Sequence, residues 1–229
     1  MDVTLVCLPF AGAGASFFRP WKGYARGALD VRPLQLPGRE ELIDEEPFTD
    51  VPTATTALAA DLRGALEPGA RVALFGHSLG AVLAYELARR LTADLEVVGL
   101  FVSGSPEPHR GRERRATGLS DDEFLARVAE FAGYRHEALR DPEMREMVLP
   151  ALRADVRMHE DYAPEGVEPL DVPITVLRGE DDELVSPADA AGWSAVAGAG
   201  VELVELPGGH MYLTDTGPAL VRLIASTVL

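Results

Sequence analysis

The 229-residue chain contains a single cysteine, Cys7. No intramolecular disulfide can form, and a reducing compartment is the natural setting for such a chain. Cys7 lies within the apolar run 3–8, where a small buried core side chain is expected rather than a reactive thiol. Long hydrophobic runs are missing too: no stretch is long and apolar enough to span a bilayer. The start of the chain has no basic segment ahead of its apolar stretch: Asp2 is acidic, and Pro9 and Gly12 interrupt the apolar residues. With no other address, the cytoplasm is the expected location. Positive charge is scarce: 21 Lys and Arg stand against 37 Asp and Glu, a formal net charge of −16. Nucleic acid and anionic membrane surfaces would be repelled. Repeats and low-complexity segments are absent. The length suits one large domain or a domain with an insertion, and a hydrophobic fraction of 47% can fill its core.

Short β-branched runs at 3–8, 31–36, 71–75, 95–102, 172–177 and 201–206 read as strands. Helical patterns at 17–27, 51–66, 81–91, 187–197 and 218–228 alternate with them, with Ser16 as the expected cap of the first. The alternation predicts an α/β fold, a mostly parallel sheet with helices on both faces. It breaks between 105 and 170, where no strand is predicted. There Ser120-Asp121-Asp122-Glu123 is a capping box opening a helical face of Phe124, Leu125, Val128, Phe131 and Ala132, closed by Gly133. Asp141-Pro142 opens a second helix, which Pro150 is expected to bend or break. The expected organisation is a core of 1–104 and 171–229 with a helical insertion at 105–170.

Gly76-His77-Ser78-Leu79-Gly80 sits where the strand 71–75 meets the helix 81–91. G-x-S-x-G in strand–turn–helix context is the nucleophile elbow of an α/β-hydrolase. The bend holds the Ser78 hydroxyl clear of its backbone, and the helix start turns free N–H groups toward developing negative charge. Serine needs a base, and the base an orienting carboxylate, in the chain order Ser, acid, His. Of five histidines, His77 lies inside the elbow and is expected to point away from the hydroxyl, while His109, His136 and His159 fall in the insertion. Only His210 follows a late strand, where a parallel sheet places its chemistry. The loop after 102 has no carboxylate; Arg178-Gly179-Glu180-Asp181-Asp182-Glu183 has four. Asp182 is the chosen acid by its frame with Gly179 and Val185, with Asp181 the alternative. The oxyanion donors are expected to be the N–H of Leu79 and that of Phe10 or Ala11, with Ala11 preferred.

Other chemistries fit less well. Gly12-Ala13-Gly14 follows a strand, but Phe17 stands where a dinucleotide-binding loop needs its third glycine. No His, Cys, Asp or Glu group has metal-ligand spacing, so no metal is expected. A general carboxylesterase or peptidase, and a non-catalytic binding protein on the same scaffold, remain as rivals.

Leu8-Pro9-Phe10-Ala11-Gly12-Ala13-Gly14, Leu36-Pro37-Gly38-Arg39-Glu40, Phe75-Gly76-His77-Ser78-Leu79-Gly80 and Gly208-Gly209-His210-Met211 together resemble the free-standing type II thioesterases of polyketide and nonribosomal peptide pathways. The likeness runs nearly the whole length and makes the helical insertion a lid. It implies nucleophile, acid and base roles for Ser78, Asp182 and His210. It also implies hydrolysis of stalled or mis-primed acyl groups from the phosphopantetheine arm of an acyl or peptidyl carrier protein. That arm belongs to the substrate, so no cofactor is expected. No carrier domain precedes these motifs, which points to the separate editing enzyme, with a monomer as the default. Phe124, Val128, Met144, Met147 and Met158, with Phe10 and Met211, are expected to line an acyl tunnel. Arg110, Arg112, Arg114 and Arg115, in a locally basic run, are expected to dock the acidic carrier.

Overall fold

Each β-branched run pairs with its neighbours in register, giving a six-stranded sheet of order β2-β1-β3-β4-β5-β6 in which every pairing is parallel. The computed structural model describes residues 3–132, 141–164, 166 and 168–229. The strands are β1 (Val3–Leu8), β2 (Leu29–Pro33), β3 (Arg71–His77), β4 (Glu96–Ser103), β5 (Ile174–Gly179) and β6 (Val201–Leu206). Around them run α1 (Arg19–Ala25), α2 (Val51–Ala65), α3 (Leu79–Leu91), α4 (Asp121–Ala132), α5 (Pro142–Glu160), α6 (Pro187–Ala191) and α7 (Leu213–Val228). Among the described residues no helix is long and apolar enough to cross a membrane.

The period-2 geometry of a strand sends alternate residues to opposite faces. Val6, Leu8, Val72 and Leu74 pack with Leu58, Leu62, Leu83 and Leu87 of α2 and α3. Leu5, Cys7, Ala73 and Phe75 pack with Trp21 of α1 and Leu220 and Ile224 of α7. Both faces are therefore covered, which is why β1 and β3 are apolar along nearly their whole length. Cys7 is buried, as expected of a core side chain, and burial raises its thiol pKa far above the ordinary value.

Several local expectations shift. Ser16 does not cap α1; a 3₁₀ turn (Ala15–Phe18) precedes it, and the Ser16 hydroxyl bonds Glu40 instead. The strand expected at 31–36 begins two residues earlier and ends at Pro33. α5 runs unbroken through Pro150, and α7 starts at Leu213 with Pro218 inside it. In both helices the residue four before the proline, Glu146 or Thr214, is exposed, so water can serve the carbonyl left without a helical donor. Asp141 caps α5 as expected, accepting from the Glu143 and Met144 N–H groups at 2.9 and 3.1 Å. Gly133 and His136 lie outside the described residues, as do the side chains of Phe131 and Ala132.

The topology selects where chemistry can sit. From β1 the chain moves outward to β2, then returns across β1 to β3. The loops leaving β1 and β3 therefore diverge and leave a crevice at the carboxyl ends of these strands. α4 and α5 lie between β4 and β5 in the chain, and Phe124, Leu149, Leu152 and Val156 join them in a small apolar cluster with Ala116.

Candidate active site

Ser78 occupies the turn between β3 and α3 with φ 53° and ψ −115°, a left-handed conformation that costs a non-glycine residue about 1–3 kcal/mol. Two close approaches hold it there. A Cβ on Gly76 would overlap the Gly80 carbonyl, and one on Gly80 would overlap the Leu8 carbonyl. The second contact presses the start of α3, which opens at Leu79, against the segment leaving β1, which runs on to Ala11. Neither N–H has an acceptor among the described residues. The Gly12 N–H is already committed to Asp155 Oδ2 at 2.8 Å.

His210 lies in the loop after β6, and its Nδ1 stands 2.9 Å from Asp182 Oδ2. A carboxylate only accepts, so Nδ1 carries the proton and Nε2 keeps its lone pair for a base's work. Asp182 Oδ1 accepts from the Leu184 and Val185 N–H groups at 2.8 and 3.1 Å. Burial would raise the Asp182 pKa, but the His210 hydrogen bond, the imidazole's charge and these two N–H groups together hold it below the ordinary carboxylate value. Asp181 is exposed, and its N–H instead ties the acid loop to the Gly208 carbonyl at 2.9 Å. Arg178, which no sequence motif singles out, clamps the same loop: it donates to the Val185 carbonyl at 2.6 Å and the Asp182 carbonyl at 3.1 Å.

Ser78 and His210 open onto one cavity of about 270 Å³. Phe10, Ala11, Val128 and Met211 line it as well. Several residues expected in that lining are elsewhere. Phe124 is fully buried in the α4–α5 cluster, under the guanidinium of Arg153 at 4.3 Å, because its helical face packs inward. Met144 and Met147 lie on the solvent side of α5, 40% and 49% exposed. Met158 is in the main core. Arg112 is also corrected: it forms part of the cavity wall and is largely buried, so it presents no docking surface. Arg110, Arg114 and Arg115 are exposed, and each has a carboxylate partner, Asp189, Asp161 and Glu113 respectively.

His77 is buried behind His210, with ring centroids 4.8 Å apart. Its Nδ1 meets Ser103 Oγ at 2.8 Å, and that hydroxyl meets Tyr212 Oη at 2.6 Å. Burial, then the neighbouring His210 charge, lowers the His77 pKa well below the usual imidazole value. A neutral His77 adds no repulsion when His210 takes a proton. Gly104, at φ 54°, lets the two rings approach, since a Cβ there would overlap His77 and lie 3.1 Å from His210 Cε1.

A buried ion pair joins the segment after β2 to α5. Arg39 donates to Asp155 through Nη1 at 2.5 Å and Nη2 at 2.8 Å, and through Nη1 to the Ala13 carbonyl at 3.1 Å. With the Gly12 bond, Asp155 fixes both the backbone beside Ala11 and the helix that walls the cavity. Asp155→Ala would leave the buried Arg39 guanidinium without its counter-ion and the Gly12 N–H without its acceptor. Its expected cost is about 3–5 kcal/mol, read as a lowered urea midpoint with little change in slope. An unchanged midpoint would show that the pair holds nothing in place.

Residues 3–227 match the thioesterase domain family. The AMB antimetabolite synthetase AmbE of Pseudomonas aeruginosa is 40% identical over 209 residues, which cover 90% of this chain but only 10% of that protein. The chain thus spans a tenth of that relative's length. Among solved structures, the type II thioesterase BorB from the borrelidin biosynthetic cluster is 35% identical with a TM-score of 0.86, over 100% of this chain and 92% of that one. YbtT, a type II thioesterase from the yersiniabactin NRPS/PKS biosynthetic pathway, is 28% identical with a TM-score of 0.88, over 99% of this chain and 92% of that one.

Proposed function

The chain belongs to the thioesterase family, and from that premise we propose that it removes stalled or mis-primed acyl groups from the phosphopantetheine arm of acyl or peptidyl carrier proteins. The observation that supports this most is the shared cavity: Ser78 and His210 line it together, and Asp182 holds His210 through Nδ1. BorB and YbtT, both type II thioesterases, share the fold over nearly all of this chain.

In this reading Ser78 Oγ attacks the thioester carbonyl carbon while His210 Nε2 takes its proton. The tetrahedral oxyanion is held by the Leu79 and Ala11 N–H groups, each worth on the order of 10²–10³ in turnover. Collapse breaks the C–S bond, and the thiol leaves with the proton from His210. Water then attacks the acyl-serine, His210 again accepting its proton and returning it to Ser78, and the free acid departs. Asp182 keeps the imidazole in the required tautomer throughout. The protein carries no cofactor of its own in this scheme; the pantetheine arm arrives with the substrate. The α4–α5 segment acts as the lid over the cavity. The enzyme works as a monomer in the cytoplasm, a setting its lone buried thiol suits.

Intact-mass measurement of several acyl-carrier proteins tests this directly. Addition of the enzyme is expected to remove the acyl mass and leave the holo-carrier, and to leave a simple oxygen ester of the same acid far less affected. Carrier proteins that keep their acyl groups while the oxygen ester is consumed would favour a general esterase. Reversing the charges of Arg110, Arg114 and Arg115 is expected to slow hydrolysis from the carrier more than from a small thioester.

A further inference from the structure

Ala11, which supplies one of the two oxyanion donors in this reading, sits in a tight turn. The Ala13 N–H donates to the Phe10 carbonyl at 3.0 Å, and Gly12 holds φ at 79°. A positive φ at the third of four turn residues, with Ala11 outside that region, makes Phe10-Ala11-Gly12-Ala13 a type II turn. The type I alternative has its middle peptide turned over. In the type II form the Gly12 N–H meets Asp155 Oδ2 at 2.8 Å. In the type I form the Ala11 carbonyl would swing toward that carboxylate instead, oxygen against oxygen.

Asp155 is buried on α5, 143 residues along the chain from Gly12. Its Oδ1 accepts from Arg39 Nη2 at 2.8 Å, and its Oδ2 is shared between Arg39 Nη1 at 2.5 Å and the Gly12 N–H. The same Nη1 donates to the Ala13 carbonyl at 3.1 Å. The two residues that follow Ala11 are therefore held one by each partner of the ion pair. Farther along, Gln35 Oε1 accepts from the Ala15 N–H at 3.0 Å, and Glu40 accepts from the Ser16 N–H at 3.2 Å. Ala11 has no such tie. Its N–H has no acceptor among the described residues, and it stands on the wall of the cavity that Ser78 and His210 share. The direction of that N–H is set by its chain neighbours, of which Gly12 is the pinned one. A buried ion pair is often replaceable by apolar residues without loss of stability. What the carboxylate supplies that an apolar side chain cannot is an acceptor for Gly12.

Resting on the thioester-hydrolase reading, we propose that Asp155 is a positioning residue for the oxyanion hole: by holding the Gly12 N–H it fixes the turn that aims the Ala11 N–H. It acts through the backbone and touches neither substrate nor reacting atoms. An oxyanion donor works on charge that develops only in the transition state. A misaimed Ala11 N–H therefore lowers kcat and leaves KM little changed.

Two double variants make the test: Arg39→Met with Asp155→Asn, and Arg39→Met with Asp155→Leu. Neither leaves a buried charge unpaired. Asparagine and leucine are close in volume, so the two differ in whether an oxygen at position 155 faces the Gly12 N–H. Active sites are counted by stoichiometric fluorophosphonate labelling of Ser78, and rates are expressed per labelled site, so unfolded protein drops out. Per-site kcat is expected to be about 10²-fold lower with leucine than with asparagine, the scale of a small misplacement of a catalytic group, with little change in KM. A trifluoromethyl ketone analogue, which Ser78 converts to an oxyanionic adduct, should bind more weakly in the same proportion as kcat/KM falls. A role confined to stability would lower the count of active sites and the urea midpoint but leave per-site kcat equal in the two variants, and that result overturns the proposal. Should the variants not fold, the parent alone decides. Its Gly12 amide should exchange hydrogen far more slowly than that of Ala11, and the Ala11 amide should slow when the ketone binds. A freely exchanging Gly12 amide overturns the assignment. A parent that hydrolyses no thioester would instead remove the functional reading on which it rests.

Discussion

Ser78→Ala is expected to lower kcat for carrier-bound thioester about 10⁶-fold, the scale seen when a serine hydrolase loses its nucleophile. The loss should be chemical rather than structural. Ser78 already holds φ at 53°, and alanine bears the same backbone strain as serine there. The turn is set by the Gly76 and Gly80 approaches and by the Ser78 N–H bond to the Ser103 carbonyl at 2.8 Å, none of which uses the hydroxyl. Circular dichroism and the urea midpoint should therefore match the parent. Mass spectrometry gives a second readout. The parent, quenched during turnover of a slow substrate, should gain the acyl mass on one peptide containing residue 78, and the variant should not. A variant with more than about one hundredth of parental turnover would place the nucleophile elsewhere.

Asp182→Asn is expected to lower kcat about 10⁴-fold, because an amide can donate to Nδ1 and stabilise the wrong imidazole tautomer. Asp181→Asn, one residue away but exposed and turned from His210, should change kcat by less than about twofold. The pair of variants separates position from composition. Equal losses in both would show that the acidic loop acts through its charge alone. Asp182 also carries a pH signature. Its folded pKa lies below the ordinary value, so its contribution to stability is present above the unfolded aspartate value of about 3.9 and is lost as pH falls through the lower, folded one. Urea midpoints measured downward from pH 5 should fall more steeply for the parent than for Asp182→Asn. With its pKa lowered, Asp182 is ionised at neutral pH, so it does not set the acid limb of kcat/KM there.

Some of this was readable from neighbouring residues alone. Strand β6 spans the expected residues 201–206, and α2 starts one residue after Asp50, whose side chain accepts from the Thr53 N–H at 2.8 Å. Local rules failed where burial overrode them. Pro150 and Pro218 are strong breakers by their own chemistry, yet both helices continue, since packing on the apolar face outweighs one missing bond toward solvent. Phe124, Met144 and Met147 are equally apolar, but which face of α4 or α5 meets the cavity depends on how those helices lean on each other.

The strand–turn–helix around Ser78 and the alternation that gives the parallel α/β architecture come from residues close together in the chain. Periodicity and turn chemistry are local quantities, so they survive without coordinates. The exclusion of Asp181, which the sequence left as the alternative acid, the contact of Arg112 with His159, and the Arg39–Asp155 pair are of another kind. They join positions 28, 47 and 116 residues apart, and they turn on which groups lose their water together. Desolvation and pairing depend on everything packed around a group, and that surrounding exists only once distant segments have met.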